Sequence, residues 1–80
     1  MDKNIARELA VAAIKSSSVL TNLLPSLKDR CRPGEYEEMR KSISGIAADI
    51  SIEVLHRIFK EHPDLERELD EAIRSGKPLA

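Results

Sequence analysis

Residues 46–59 read IAADISIEVLHRIF. On a helix, the apolar side chains of this stretch cover two faces, which is wider than the single stripe of a helix packed against one neighbour. The side chains concerned are Ile46, Ile50, Ile52, Val54, Leu55, Ile58 and Phe59. A chain of 80 residues has little material with which to cover two faces of one helix. The stretch therefore predicts a helix that also contacts another chain.

The helix that contains this stretch is predicted to span about residues 35 to 61. Pro33 and Gly34 break the chain before it, and Pro63 breaks the chain after it. Glu35, Glu37 and Glu38 favour a helix start there, because acidic side chains complement the positive end of the helix dipole.

A second long helix is predicted to precede it, over about residues 3 to 31. Its apolar positions recur at steps of three and four residues: Ile5, Leu9, Ala12, Ala13, Leu20, Leu23, Leu24, Leu27 and Cys31. Asp2 or Asn4 suits the helix start as a capping residue. Pro25 lacks a backbone N–H and predicts a kink within residues 21–25, although a restarted helix capped by Thr21 or Asn22 is the alternative.

A short third helix is predicted for about residues 63 to 75. Pro63 suits its first position, Leu65, Leu69 and Ile73 give it an apolar side, and Gly76 ends it. Residues 1–76 then form a single helical domain, and residues 77–80 form a flexible tail. The fold class is all-α: a long antiparallel helical hairpin with a third helix folded against one end.

Small residues on both long helices indicate that helix axes approach closely. Ala6, Ala10 and Ala13 share one side of the first helix. Gly45 lies inside the second helix, where glycine costs about 1 kcal/mol relative to alanine. We expect Gly45 to mark a tight crossing, either within the chain or between two chains.

Composition excludes several classes of site. Cys31 is the only cysteine, so an intrachain disulfide is excluded and a cytoplasmic location is expected. The net charge is −1, and Tyr36 and Phe59 are the only aromatic residues, so neither phosphate binding nor base stacking is favoured. No secretory signal or membrane span is apparent, and no cofactor is expected.

Glu53 and His56 form the one pair with precedent in catalysis. A Glu and a His three residues apart share a helix face, and carboxylate-bridged metal bundles take such a pair from each of two helices. A symmetric dimer would supply two pairs, with Asp49 as a further candidate ligand. The competing interpretation is a solvent-exposed strip in which Glu53 pairs with Arg57. We assign no metal site on this pattern alone.

Residues 46–52 faintly resemble the start of a DNA-binding helix-turn-helix. Ser51 stands where a glycine would favour the turn, and the apolar pattern continues through the position of the turn. DNA binding is therefore an alternative function that the sequence does not favour.

The sequence favours a non-catalytic protein-interaction or oligomerisation module, acting as an adaptor or regulator. Two hairpins would pair as a homodimer with a four-helix core, and another protein is a possible further partner. The predicted interface residues are Gly45, Ile46, Ile50, Val54, Ile58 and Phe59. Arg57 and Lys60 are the predicted charges at its rim.

Overall fold

The computed structural model describes residues 1–79, and the chain is all-helical over that range, as predicted. The elements are α1 (Lys3–Asn22), α2 (Leu24–Arg30), α3 (Pro33–Asp49), a π-helical segment (Ile50–Leu55), α4 (His56–Glu61) and α5 (Pro63–Arg74). They form three helical stretches, because α1 and α2 are separated by one residue and α3 continues through the π segment into α4. Ala80, the end of the predicted tail, lies outside the described residues.

The first stretch is interrupted at Leu23, inside the range predicted for the kink. Asp2 caps the start of α1, where its Oδ2 accepts from the backbone N–H groups of Asn4 (3.0 Å) and Ile5 (3.2 Å). Pro25 lies in the first turn of α2, where a missing N–H costs no helical hydrogen bond. No side chain caps α2, so the alternative of a cap by Thr21 or Asn22 is wrong. The Thr21 hydroxyl donates instead to the carbonyl of Ser17, at 3.0 Å.

The second stretch begins at Pro33, two residues earlier than predicted. Proline is favoured at the first helical position because its fixed φ suits the helix. Glu35 accepts a hydrogen bond from the backbone N–H of Arg32 at 3.2 Å, which satisfies a donor at the helix entry.

The π segment changes the direction in which the later apolar side chains of this stretch point. Its hydrogen bonds close larger turns than those of an α-helix, as in the bond from His56 N–H to Ser51 C=O. One additional residue in a turn rotates all later positions by about 100°. The two apolar faces seen in the sequence are thus largely covered by the chain itself, since the π segment contacts α1 and α4 contacts α5.

The core is small and lies where α1, α4 and α5 meet. Ala6 and Ala10 of α1 and Leu65 of α5 are fully buried, and Ile58 of α4 is 4% exposed. The buried cluster consists of Ala6, Ala10, Val11, Ile58, Leu65 and Leu69. Of the three alanines predicted to permit a close approach of helix axes, Ala6 and Ala10 are therefore in the core, and Ala13 is half-buried.

The end of α5 is closed as the position of Gly76 predicts. Gly76 has φ of 69°, the left-handed conformation that glycine adopts without steric cost. Its N–H donates to the Ile73 carbonyl (3.2 Å), and the Lys77 N–H donates to the Ala72 carbonyl (2.9 Å), which together satisfy two carbonyls of the last turn. Beyond it, Leu79 is half-buried against the core.

Ion pairs join the first turns of α1 to α5. Arg7 donates to both oxygens of Glu68, at 2.7 and 3.1 Å, and Lys3 pairs with Asp64. These contacts lower the pKa of Glu68, through the hydrogen bond from Arg7, and that of Asp64, through the hydrogen bond from Lys3. Lys3 and Arg7 are four residues apart on α1, and Asp64 and Glu68 are four residues apart on α5. The two basic and the two acidic side chains therefore each lie about one turn apart on their helix.

Leu65→Ala tests the position of the core. Leu65 is fully buried, so we expect the free energy of unfolding to fall by about 2–5 kcal/mol. The control is Ile52→Ala, at a position that is 63% exposed, which should change it by less than about 0.5 kcal/mol. Urea unfolding followed by circular dichroism at one protein concentration measures both. Equal losses in the two variants would contradict this core.

The ion pairs between α1 and α5 predict a dependence of stability on pH. The pKa values of Glu68 and Asp64 are lower in the folded chain, so their stabilisation is present above their unfolded values, near 4. It is lost as the pH falls through the lower, folded values. We expect the free energy of unfolding to decrease below about pH 4. Glu68→Gln should show lower stability at pH 7 and a smaller decrease, and identical pH profiles would contradict the Arg7–Glu68 pair.

Candidate association surface

Large apolar side chains of α1 and of Leu23, the residue that follows it, are about half exposed on one side of the helix. The exposed fractions are 52% for Ile5, 43% for Leu9, 65% for Val19 and 46% for Leu23. Between them on the same side lie Ala12 and Ser16, which are also exposed. We call these six residues the α1 stripe; it is about 27 Å long.

The α1 stripe lies well away from the side of α1 that enters the core. At 3.6 residues per turn, its centre is about 120° around the helix from Ala6 and Ala10. The inward side of α1 carries Ala6, Ala10, Val11 and Ile14, and four other large apolar side chains point away from the core. The helix therefore has apolar residues on two sides, whereas an ordinary amphipathic helix has them on one.

The α1 stripe has the spacing of a coiled-coil seam. Its members follow one another at steps of four, three, four, three and four residues. This alternation has the mean period of 3.5 residues that keeps one seam facing a neighbouring helix. The seam spans about two and a half heptads, which is shorter than the three or four typical of a free-standing coiled coil.

Two more large side chains are exposed on α3. Met39 is 49% exposed and Ile46, seven residues later, is 48% exposed. Seven residues are close to two helical turns, so Met39 and Ile46 lie on the same side of α3. Ile52, in the π segment, is a further exposed large apolar side chain of this stretch.

The predicted interface residues are divided between the core and the surface. Ile58 is 4% exposed and belongs to the chain's own core, while Val54 and Phe59 are half-buried against that core. Ile50 is half-buried, and only Ile46 has a largely exposed side chain. The structure therefore buries one side chain of the predicted association face and half-buries three, and their contact with another chain stays a prediction.

Gly45 does not mark a close crossing of helices within the chain, and that form of the prediction is wrong. A Cβ placed on Gly45 would have no heavy atom within 4 Å among the described residues. The crossing between two chains stays a prediction. Of the predicted rim residues, Lys60 is exposed, and Arg57 lies 3.7 Å from Glu53 on the exposed side of the helix.

The candidate metal ligands Asp49, Glu53 and His56 are all exposed. Residues 1–79 contain no group of three His, Cys, Asp or Glu side chains placed to hold a metal ion. Glu53 is within ion-pair distance of Arg57, as the competing interpretation predicted. A metal site would need ligands from a second chain, and that alternative stays a prediction.

The basic residues around the turn between α2 and α3 are partly neutralised. Arg40 pairs with Glu37 at 2.9 Å, and that hydrogen bond lowers the pKa of Glu37. Arg30 donates to the Ser26 hydroxyl at 2.6 Å, and Cys31 beside it is half-buried.

In the part of the chain that the structure describes, every helix is too short or too polar to cross a membrane.

His62, at the corner before α5, is half-buried. Its Nε2 lies 2.9 Å from the backbone carbonyl of Met1, and the amino group of Met1 pairs with Glu61. That pairing lowers the pKa of Glu61. These contacts fix the start of α1 against the corner between α4 and α5.

Sequence reasoning missed the α1 stripe, although its signal is in the sequence. The alternating steps from Ile5 to Leu23 are present, but the same helix also has a plausible apolar side through Ala6, Ala10 and Ala13. Because larger side chains contribute more to burial, the larger set is naturally taken as the inward one.

No protein-family model, curated protein or solved structure matches this chain. The function is therefore inferred from the chain's own surface.

Gly45→Ala tests whether a second helix passes close to α3 at this point. In the described chain the new methyl group would meet open space, and alanine is the better helix former. We expect the free energy of unfolding to rise by about 0.5–1 kcal/mol, measured by urea unfolding. A loss of stability would instead place another chain against Gly45.

Proposed function

We propose that this protein is a non-catalytic association module that pairs with a second copy of itself through the α1 stripe. The observation that carries the proposal is the second apolar side of α1. Ala6, Ala10 and Val11 occupy the chain's own core, and Ile5, Leu9, Val19 and Leu23 are between 43% and 65% exposed.

Covering the α1 stripe would supply the burial that the single chain lacks. Fully burying one Leu, Ile or Val side chain contributes about 1.5–3 kcal/mol, and these four side chains are only about half covered. The chain's own buried core contains only six side chains in one cluster, two of them alanines. A helix with one apolar side in the core of its own chain and a second apolar side exposed suits a position between two packed layers.

The assembly we propose is a dimeric bundle of two hairpins. In each hairpin, α1 and α2 run antiparallel to α3, the π segment and α4, with α5 folded against one end. Contacts of α1 with α3 and the π segment, and of α2 with α3, support this arrangement. Met39 and Ile46 add exposed apolar surface on α3, so each chain would contribute two long helices to a four-helix core.

The proposal includes a regulatory or adaptor role in the cytoplasm. The single, half-buried Cys31 supports a reducing compartment, since no disulfide stabilises a small core that would profit from one. The assembled surface would then carry the partner-specific contacts.

Ala12→Glu tests the association directly. Ala12 is exposed at the middle of the α1 stripe, so a glutamate there removes little packing from the single chain. In a dimer, it would place an unpaired carboxylate in an apolar seam, which is strongly unfavourable. We expect wild type to sediment as a dimer and Ala12→Glu as a folded monomer, with helicity checked by circular dichroism.

Ala48→Glu is the matched control. It makes the same substitution at an exposed position on α3, outside the stripe and away from Glu8 and Lys15, so it should sediment as wild type does. Dimers of equal stability for both variants would contradict association through α1.

A further inference from the structure

We infer that the two copies pair through α1 in antiparallel orientation, with Glu8 of each subunit beside Lys15 of the partner subunit. This inference rests on the proposed function and specifies its geometry. It comes from the charges and burial on the two flanks of the α1 stripe.

The α1 stripe can be written as the a and d positions of a heptad. Leu9, Ser16 and Leu23 then occupy a, and Ile5, Ala12 and Val19 occupy d. The residues just before a and just after d, called g and e, flank the seam. In paired helices, these flanking positions set the choice of partner and the orientation.

The two flanks differ in character. The e flank consists of Ala6, which is fully buried, and the half-buried Ala13 and Leu20, so it belongs to the chain's own interior and carries no charge. The g flank consists of the exposed residues Glu8, Lys15 and Asn22. Charged recognition along this seam therefore has to come from the g flank alone.

The flanks distinguish parallel from antiparallel pairing. In a parallel pair, the g flank of one helix faces the e flank of the other, so Glu8 and Lys15 would face uncharged residues that are already covered. Reversing one helix exchanges its flanks, and the two g flanks then face each other. Since Glu8 and Lys15 have opposite charges, only the antiparallel pair is complementary.

Two-fold symmetry makes this complementarity act twice. If Glu8 contacts Lys15 of the partner subunit, then Lys15 contacts Glu8 of the partner subunit. The same register sets Leu9 opposite Ala12 and Ile5 opposite Ser16 of the other copy, so large side chains face small ones. In this register Val19 lies at the N-terminal end of the partner's α1, and Leu23 extends beyond that end, so the pair covers mainly the part of the stripe from Ile5 to Val19.

Neither charge has a competing role in the described chain. Glu8 and Lys15 make no ion pair within residues 1–79, whereas Lys3 and Arg7 on the same helix are paired with α5. The residues three and four positions from Glu8 and Lys15 carry no charge. Reversing either charge therefore neither forms nor breaks an i, i+3 or i, i+4 charge pair within α1.

Charge reversal tests the orientation. Glu8→Lys gives a chain with lysine at both positions, and Lys15→Glu gives one with glutamate at both. Each should raise the dimer dissociation constant by about tenfold, measured by sedimentation equilibrium at low salt. The double variant Glu8→Lys/Lys15→Glu should return to near the wild-type value, and an equimolar mixture of the single variants should form a heterodimer. High salt should reduce all of these differences.

Glu71→Lys is the net-charge control for Glu8→Lys, because it makes the same substitution at an exposed position on α5. A dimeric wild type whose single reversals behave like Glu71→Lys, with no preferred heterodimer, would overturn the antiparallel α1 seam and leave self-association intact. A wild type that is monomeric at every concentration would overturn the proposed function itself.

Discussion

The structure depends on the burial of one side of α1 against the π segment, α4 and α5. Ala6, Ala10 and Val11 of α1 lie in one buried cluster with Ile58, Leu65 and Leu69, and Val54 and Leu55 of the π segment pack against that cluster. The ion pairs of Lys3 and Arg7 with α5 hold α1 in this rotation. Once the alanine side faces inward, Ile5, Leu9, Val19 and Leu23 have no place in the chain's own core.

The same contact explains why exposed apolar side chains lie on α1 as well as on the second long helix. The π segment rotates the positions after it, and α1 and α5 cover different parts of that helix. Ile58, Val54 and Phe59 are used inside the chain as a result. The width of the apolar pattern in residues 46–59 therefore reflects two neighbours within one chain, and the surface available for association is on α1, with Met39 and Ile46 on α3.

Local chemistry in the sequence predicted the helices well. Pro33, Pro63 and Gly76 act on their own turns, and Asp2 caps the helix that it precedes, so each signal can be recognised without knowledge of the tertiary structure. The π segment could not be predicted in this way, because a turn with one more residue becomes favourable only when the rotated side chains find partners. The rotation of α1 was also beyond sequence reasoning, since its alanine side and its larger apolar side both fit a helix buried on one side. The four-residue spacings of Lys3 with Arg7 and of Asp64 with Glu68 were the signals that could have decided between them.

The central claim is that the α1 stripe is covered by a second copy of the chain in solution. The measurement that tests it most directly is the absolute mass of the wild-type protein by light scattering on a sizing column across a wide range of dilution. The account predicts twice the chain mass of 8.9 kDa at high concentration, with a decrease toward 8.9 kDa on dilution. A mass of 8.9 kDa at every concentration would contradict it.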